Sequence, residues 1–249
     1  MSDSEVPSDL WTKATADAYD DPGDPMFAPE LLAATSAFLA ERAEGRPALE
    51  FAIGTGRVAI PLQERGVAVS GLEYSPAMAG RLREKTDRIP VVIGDMSSTT
   101  VPGEFGLVYL VFNTIGNLWT QDAQVDCFRN AARHLVPGGR FVVEVEVPAA
   151  RRMPPGQAAA PFDVSEEHAG IDTYDFVTQR AISHHYTRQD DGSYRYGAHH
   201  YRYAWPAELD LMARIAGMSL ESRHADWTGA PFTAESESHV SVWRKDAAF

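Results

Sequence analysis

The 249-residue chain has a single cysteine, Cys127, so no internal disulfide can form, which suits a reducing compartment. Positive charge is scarce. Against 35 aspartates and glutamates stand 22 lysines and arginines, a net charge of -13. Such a field repels nucleic acid and anionic lipid, so no nucleic acid and no membrane is expected as a partner. Long apolar runs are missing too: none approaches the ~20 residues that span a bilayer. The opening MSDSEVPSDLW is acidic and polar, unlike a secretory signal. The expectation is a cytoplasmic protein acting on a small molecule, with a homodimer allowed. Hydrophobic residues make up 44% of the chain, enough for a sizeable core.

Strand and helix patterns alternate through the first half. A helical pattern at 31–42 is followed by strand patterns ALEFAI (48–53), VAVSGLEY (67–74), IPVVIGD (89–95), FGLVYLVFN (105–113) and RFVVEVEV (140–147). Between them lie helices at 58–66, at 75–85 with Ser75 as N-cap and Pro76 in the first turn, and at 120–135, stopped by Val-Pro-Gly-Gly. This spacing predicts a parallel sheet with helices on both faces. From Pro148 the pattern changes: 148–161 is loop-like, and 162–203 is rich in aromatic and β-branched residues without helix signals. A helix at 205–218 and two strand patterns, SLESRHADW and SHVSVWRK, follow as an antiparallel end of the main sheet. The expected organisation is an α/β core of 1–147 and 205–249 with an all-β insertion at 148–204. Such an insertion belongs over the C-terminal edge of the sheet, where α/β proteins bind ligands.

The stretch LEFAIGTGRVAIPL (49–62) carries a glycine turn between a strand and a helix. Arg57-Val58 stands where a triphosphate-binding loop needs Lys-Ser/Thr, which argues against a nucleoside triphosphate as the ligand. The dinucleotide fingerprint is formally met by Gly54, Gly56 and Ala59, with Glu73 about twenty residues on. Its neighbours point elsewhere. Glu50 would repel a pyrophosphate but suits an ammonium and a sulfonium. Glu73, ending the second strand, can take both hydroxyls of a ribose, and Asp95, ending the third, can accept an adenine amino group. Acids at three successive strand ends beside a glycine turn describe an adenosine joined to a cationic amino acid.

LEFAIGTG, GLEYS, IGDM, LVYLVFNTIGNL and HLVPGG, in this order and spacing, resemble the motifs of class I S-adenosylmethionine-dependent methyltransferases. The likeness spans roughly residues 10 to 147, with the terminal helix and strands completing a Rossmann-like seven-stranded sheet. Within the family the chain is most similar to bacterial small-molecule enzymes of secondary metabolism, including amino-sugar N,N-dimethyltransferases. The resemblance implies S-adenosylmethionine as cofactor and S-adenosylhomocysteine as product. It implies methionine contacts from Glu50, Gly54, Thr55, Gly56 and Arg57, and ribose held by Glu73. Adenine falls to Asp95 with Met96 and Tyr74, backbone contacts to the region of Val111, and a lid over the cofactor to Tyr19, in Ala18-Tyr19-Asp20.

The expected acceptor is a small molecule, a secondary metabolite or amino sugar, methylated on nitrogen or oxygen largely by in-line positioning. Enzymes that methylate planar amide or base nitrogens carry Asn/Asp-Pro-Pro-Tyr/Phe after the fourth strand. Asn113-Thr-Ile-Gly-Asn117 stands there instead, which argues against DNA or glutamine nitrogen. Asn113 and Asn117 are candidates to orient the acceptor, with turn capping as the plainer role. Glu146, on the same strand face as Glu144, is a candidate base or amine ligand. In the insertion, Asp191-Gly192 signals a hairpin. A turn centred between them sets His184 opposite His199, with Tyr186 and Tyr201 on the same face. A slip by one residue pairs His184 with His200 and His185 with His199. His184 and His199 are thus the candidate catalytic pair, and Tyr186 and Tyr201 acceptor ligands. No metal is expected, because His184 and His185 point to opposite faces and no third ligand falls at a convincing spacing. His134, His168, His224 and His239 carry no signal. Three other readings compete. A methyltransferase fold that binds S-adenosylmethionine without methyl transfer, as in a cyclisation, keeps the same acids. An NAD-dependent dehydrogenase would leave Glu50 and Asp95 incidental. A peptide acceptor could lie along an edge of the insertion.

Overall fold

A computed structural model describes residues 12–247; the acidic opening stretch 1–11, and with it the start of the 1–147 segment, lies outside the described residues. In chain order, α1 (Lys13–Ala18) and α2 (Pro29–Ala43) lead into β1 (Ala48–Phe51), α3 (Ala59–Glu64), β2 (Val69–Glu73), α4 (Pro76–Lys85), β3 (Val91–Ile93) and β4 (Phe105–Leu110). Then come α5 (Gln121–His134) and β5 (Leu135–Glu146), a four-strand run of β6 (Ala159–Val164), β7 (His168–Asp175), β8 (Arg180–Arg188) and β9 (Tyr194–Arg202), and finally α6 (Pro206–Ile215), β10 (Met218–His224) and β11 (Ser238–Lys245). The main sheet has seven strands in the order β10-β11-β5-β4-β1-β2-β3. β1, β2, β3, β4 and β5 run parallel, while β11 is antiparallel to both β5 and β10. The two terminal strand patterns therefore form the antiparallel end of the sheet, as expected.

Every residue of β1 and β4 is buried, because helices cover both faces of a parallel sheet. On one side Phe51, Phe128, Phe141 and Trp243 pack with Leu209 and Met212 of α6. On the other, Leu39, Leu62, Leu82, Leu107 and Tyr109 join α2, α3 and α4 to the sheet. A side chain such as Phe128 or Leu82, wholly removed from water, contributes about 1.5–3 kcal/mol. The Ser75 hydroxyl accepts from Met78 N and Pro76 opens the first turn, so α4 starts where the sequence predicts. Thr120 caps α5 in the same way, accepting from Ala123 N. The end of α5 differs from expectation. Leu135 already pairs with Phe105, Val136–Gly139 loops out with Gly138 at φ 76°, and pairing resumes between Leu107 and Arg140. The Val-Pro-Gly-Gly stretch is thus an irregularity within β5, not a separate connection.

Ala52 follows β1 with φ 52°, a left-handed conformation that crowds a Cβ. Replacing it by glycine relieves that strain at the cost of a freer unfolded chain. Ala52→Gly is therefore expected to stabilise the protein by about 0.5–1 kcal/mol, read as a higher urea midpoint with unchanged m-value.

The insertion segment forms a second, antiparallel sheet in the order β6-β7-β8-β9. Its hairpin does not take either register expected from the Asp-Gly signal. Gln189 N donates to Ser193 O, so Asp190, Asp191 and Gly192 form the loop, with Gly192 at φ 81° and the Asp191 carboxylate accepting from Ser193 N. The loop holds one residue more than a two-residue turn, and one residue reverses which side chains share a face. His184 faces Ala198, Ser183 faces His199, Ile182 faces His200 and Tyr186 faces Tyr196. No histidines meet directly across this ribbon, and His184 and Tyr186 lie on the opposite face from His199 and Tyr201. The sheet is tied to the core at one end. Arg202 donates to Gln124 Oε1 (2.5 Å) and pairs with Glu208 (2.7 Å), and the Tyr201 side chain rests on Gly116, in the 3-10 turn Thr114–Asn117 that follows β4. Tyr174, Ala181 and Tyr203 form its own small core with Ala150 and Met153.

Candidate active site

The glycine turn after β1 holds Gly54 at φ 58° and Gly56 at φ 83°, conformations that L side chains resist. Gly54 N points at Glu73, whose Oε2 accepts it at 2.8 Å, while Oε1 accepts from Ser75 N at 2.8 Å. Glu73 is buried, and burial raises its carboxyl above the ordinary range against the pull of the Ser75, Gly54 and Tyr74 amides. A carboxylate has about four lone-pair sites, so three amides leave acceptor capacity for a further donor. Glu50 is 2% exposed on β1, and its Oε2 accepts from the Tyr109 hydroxyl at 2.9 Å. Burial pushes its carboxyl up to about 8, opposed by the Tyr109 hydroxyl and by the Arg57 charge. A tyrosine inside a fully buried strand needs a polar partner, and Glu50 supplies it.

The N-terminal segment closes on this turn. Thr55 Oγ1 donates to Asp20 (2.6 Å), and Lys85 pairs with Asp20 (2.6 Å) and donates to the Thr55 carbonyl (2.9 Å). Tyr19, half-buried beside Asp20, has its phenol raised by burial, opposed by Arg57 and reinforced by Glu50 and Glu73. The Arg57 guanidinium donates to the Met26 carbonyl (2.8 Å) and lies 5.4 Å from the Phe112 ring centroid. Tyr19, Glu50, Gly54, Thr55, Gly56, Arg57 and Glu73 thus gather around one turn. Asp95 follows β3 and accepts from both the amide and the hydroxyl of Ser97 (2.7 Å each). Met96 and Val111 are buried, while Tyr74 is 60% exposed.

Beyond β4 the chain bends sharply, with Phe112 (φ 55°) and Asn113 (φ 59°) both left-handed. Two such non-glycine residues in succession are costly and need support. Glu144 gives it: one oxygen accepts from Phe112 N (2.8 Å), the other from Trp227 Nε1 (2.6 Å). Asn113 accepts from Glu146 N (2.6 Å) and donates to Glu146 Oε1 (2.9 Å). Glu146 ends β5 as an exposed residue; desolvation by its neighbours raises its carboxyl, opposed by the Asn113 bond and reinforced by the Asp172, Glu144 and Glu237 charges. Asn117 closes the 3-10 turn after Asn113.

From β7 and β9, Asp172, Tyr174, His199 and Tyr201 share one face, and the charge of Asp172 on it is near enough to act on Glu146. Tyr174 donates to Asp172 Oδ2 at 3.1 Å and the Tyr201 phenol lies close enough to interact with the same carboxylate, while Asp172 Oδ1 is buried with no partner at hydrogen-bond geometry. Burial, then the neighbouring Tyr174 and Asp172, drive the Tyr201 phenol far above its usual value, and burial lifts Tyr174 to about 12. Burial lowers the His199 imidazole, with the nearby Asp172 acting the other way. His184 and Tyr186 are absent from this face: His184 bonds to Tyr196 OH (2.8 Å) and Thr173 Oγ1 (3.0 Å) on the other side, where Tyr186 packs on Tyr196. Sequence reasoning did not single out Asp172, Tyr174, Asp20 or Tyr109. Alternation along β7 places Asp172 with Tyr174, but that the charge of Asp172 acts on Glu146 is visible only in the packed chain.

Residues 48–139 match a family described as the methyltransferase domain. The chain superimposes on the structure of the CcbJ methyltransferase from Streptomyces caelestis with a TM-score of 0.81, 37% sequence identity, and coverage of 94% of this chain and 96% of that one. It is 29% identical over 206 residues to the cypemycin N-terminal methyltransferase of a Streptomyces species, covering 80% of this chain and 83% of that one. It is 32% identical over 101 residues, 41% of each chain, to the dTDP-4-amino-2,3,4,6-tetradeoxy-D-glucose N,N-dimethyltransferase of Saccharopolyspora spinosa. The chain belongs to the class I S-adenosylmethionine-dependent methyltransferases. Its relatives include enzymes of secondary metabolism and sugar modification. No helix among the described residues is long and apolar enough to cross a membrane.

Proposed function

We propose that the protein methylates the amine nitrogen of a small secondary metabolite, bound between the glycine turn and the four-stranded sheet. The observation that carries this reading is the buried Oδ1 of Asp172, which lacks a hydrogen-bond partner and belongs to a carboxylate whose charge acts on Glu146. Among the described residues neither carboxylate is ion-paired to a lysine or arginine. A buried acceptor oxygen without a donor is costly, and two facing acids repel each other. An amine supplies the missing donor and, when protonated, relieves the repulsion; a hydroxyl supplies only the donor. An amino sugar and a peptide's terminal amine both meet this requirement, as the names of the relatives above suggest.

In this reading Glu73 holds the ribose hydroxyls, Glu50 the cofactor's ammonium, and the Gly54–Gly56 turn its carboxylate end. Asp95, Met96, Tyr74 and the backbone near Val111 hold the adenine, and Tyr19 closes over the whole. The remaining acceptor capacity of Glu73 suits a diol, and Glu50, protonated in the free protein at pH 7, suits a cation by ionising when one binds. When bound, the cofactor supplies a methyl activated by a sulfonium. The chain's own residues position the acceptor: Asp172 and Glu146 orient the amine, Asn113 fixes Glu146, and Tyr201 and Tyr174 wall off water. Positioning of this kind is able to provide most of the acceleration.

The test is transfer of labelled methyl to a panel of amino sugars, peptide N-termini and amino acids, each matched with its hydroxyl analogue. Amines should take label and the hydroxyl analogues should not; the reverse result would refute the reading. With the best amine, Asp172→Asn is expected to lower kcat/KM about 30-fold or more, since removing one partner of a buried charge pair costs ~2–5 kcal/mol.

A further inference from the structure

The acceptor-facing side of the second sheet continues outward as a line of titratable groups. Strand register sets its rungs: Tyr174 beside Ala181 and Tyr201, then Asp172 beside Ser183 and His199, then Gly170 beside His185 and Gly197, then His168 beside Thr187. His185 is thus one rung beyond Asp172 and His199, and flanked by glycines on both sides. His168 Nε2 meets His185 Nδ1 at 3.0 Å, and His168 Nδ1 meets Asp163 Oδ2 at 2.5 Å. The outer end is wet: the Asp163 side chain is 49% exposed and that of His168 25%. Phe162 fills the space beside Gly170 and packs on the His185 ring at 5.4 Å, shielding the inner pair.

With both rings neutral, hydrogen-bond chemistry sets the tautomers. The Asp163 carboxylate can only accept, so His168 carries its proton on Nδ1 and its Nε2 is left with a lone pair. That lone pair takes Nδ1–H of His185, which leaves His185 Nε2 as a free proton acceptor. The charged groups around His185 are Asp163 on β6, His168 and Asp172 on β7, His184 on its own strand and His199 on β9. Burial lowers His185, as do His168 and His184, and Asp172 acts in the opposite sense, a balance that favours the neutral ring.

We propose that His185, His168 and Asp163 form a proton relay that drains the proton an ammonium-bearing acceptor must lose before methylation. This rests on the amine reading above. The N–H bond of the ammonium breaks and its electron pair stays on nitrogen, ready to attack. In this proposal His199, one register rung away on the same face, hands the proton on to His185 Nε2; His185 passes its Nδ1 proton to His168 Nε2, and the His168 Nδ1 proton leaves through Asp163 to water. His185 and His168 are positioning residues in this scheme, acting through His199.

Two measurements on the full chain test it. In protein carrying 15N-histidine, long-range proton–nitrogen correlation should show His168 and His185 both protonated on Nδ1; a His185 protonated on Nε2 at pH 7 would overturn the relay. With the amine that takes label in the panel, His185→Gln and His168→Gln should lower kcat about tenfold at pH 7. The loss should vanish above pH 9, where the acceptor arrives neutral, and KM for S-adenosylmethionine should not move. A merely structural role would depress the rate at every pH. If the amine is methylated and both variants keep the wild-type pH profile, the relay is wrong while the amine reading stands. If no amine takes label, the amine reading fails and removes the relay's proton source with it.

Discussion

Glu73→Ala is expected to weaken S-adenosylmethionine binding by two to four orders of magnitude while leaving the fold intact. The carboxylate already holds Gly54 N and Ser75 N, one on each oxygen, beside the glycine turn where the ribose is proposed to lie. Two ribose hydroxyls bonded to an ionised acceptor are worth about 1.5–3 kcal/mol each. Losing both costs about 3–6 kcal/mol, which corresponds to that range in Kd. Calorimetric titration of wild type and variant with S-adenosylmethionine, S-adenosylhomocysteine and NAD measures it, with circular dichroism to confirm folding. NAD should bind neither protein. Unchanged adenosyl affinity in the variant would mean that the ribose is held elsewhere, and that Glu73 serves only to tie β2 to the glycine turn. Glu73→Gln separates the two roles, because an amide oxygen still accepts one backbone N–H but brings no charge to the diol.

Binding of the cofactor is expected to strengthen with rising pH and then level off near pH 8. The cause is Glu50, whose carboxyl burial pushes up to about 8 in the free protein. The direction follows from linkage. At pH 7 the free protein holds a proton on Glu50; facing the cofactor's ammonium, the ionised form is favoured, so binding releases that proton. Removing protons from solution therefore promotes binding until the free protein is itself ionised. Between pH 6 and pH 8 the gain should be about 50-fold for one fully coupled proton, and smaller if Arg57 takes part of the charge. Titrations in buffers of different ionisation enthalpy count the protons directly, about one per cofactor at pH 7. Glu50→Gln should bind more weakly at pH 8 and lose the slope. A wild-type affinity flat from pH 6 to pH 8 would show that Glu50 does not face the ammonium. The same residue ties stability to pH. Its folded value lies above its unfolded one, so its contribution is full below about pH 4.5 and is lost as pH rises through about 8.

The cofactor half of the molecule was legible in the sequence for a physical reason. A strand buried on both faces, a glycine turn and a capped helix are local patterns, and an acid at a strand's end needs no partner from elsewhere to be placed there. Hence Glu50, Glu73 and Asp95 fall at the ends of successive strands of the sheet, and Ser75 and Thr120 cap the helices that follow. Tyr109 was hidden inside an apolar strand pattern; only its burial next to Glu50 makes its hydroxyl a partner.

The acceptor half was decided by packing between distant segments. Alternation in β8 and β9 showed that His184 and His185 point apart, but not which of them faces the core. A single extra residue in the Asp190–Gly192 loop set the register, sent His184 and Tyr186 to the outer face and left His199 and Tyr201 on the inner one. Asp172 and Glu146 are brought together from β7 and β5, and Asp163, His168 and His185 from three strands of the second sheet, by register that no local pattern encodes. The sequence by itself determined the sheet, its glycine turn and the acids around it, because backbone periodicity and turn chemistry act over a few residues. Only the tertiary structure decided which side chains meet the acceptor, because a sheet's period of two lets one residue of loop length choose between its faces.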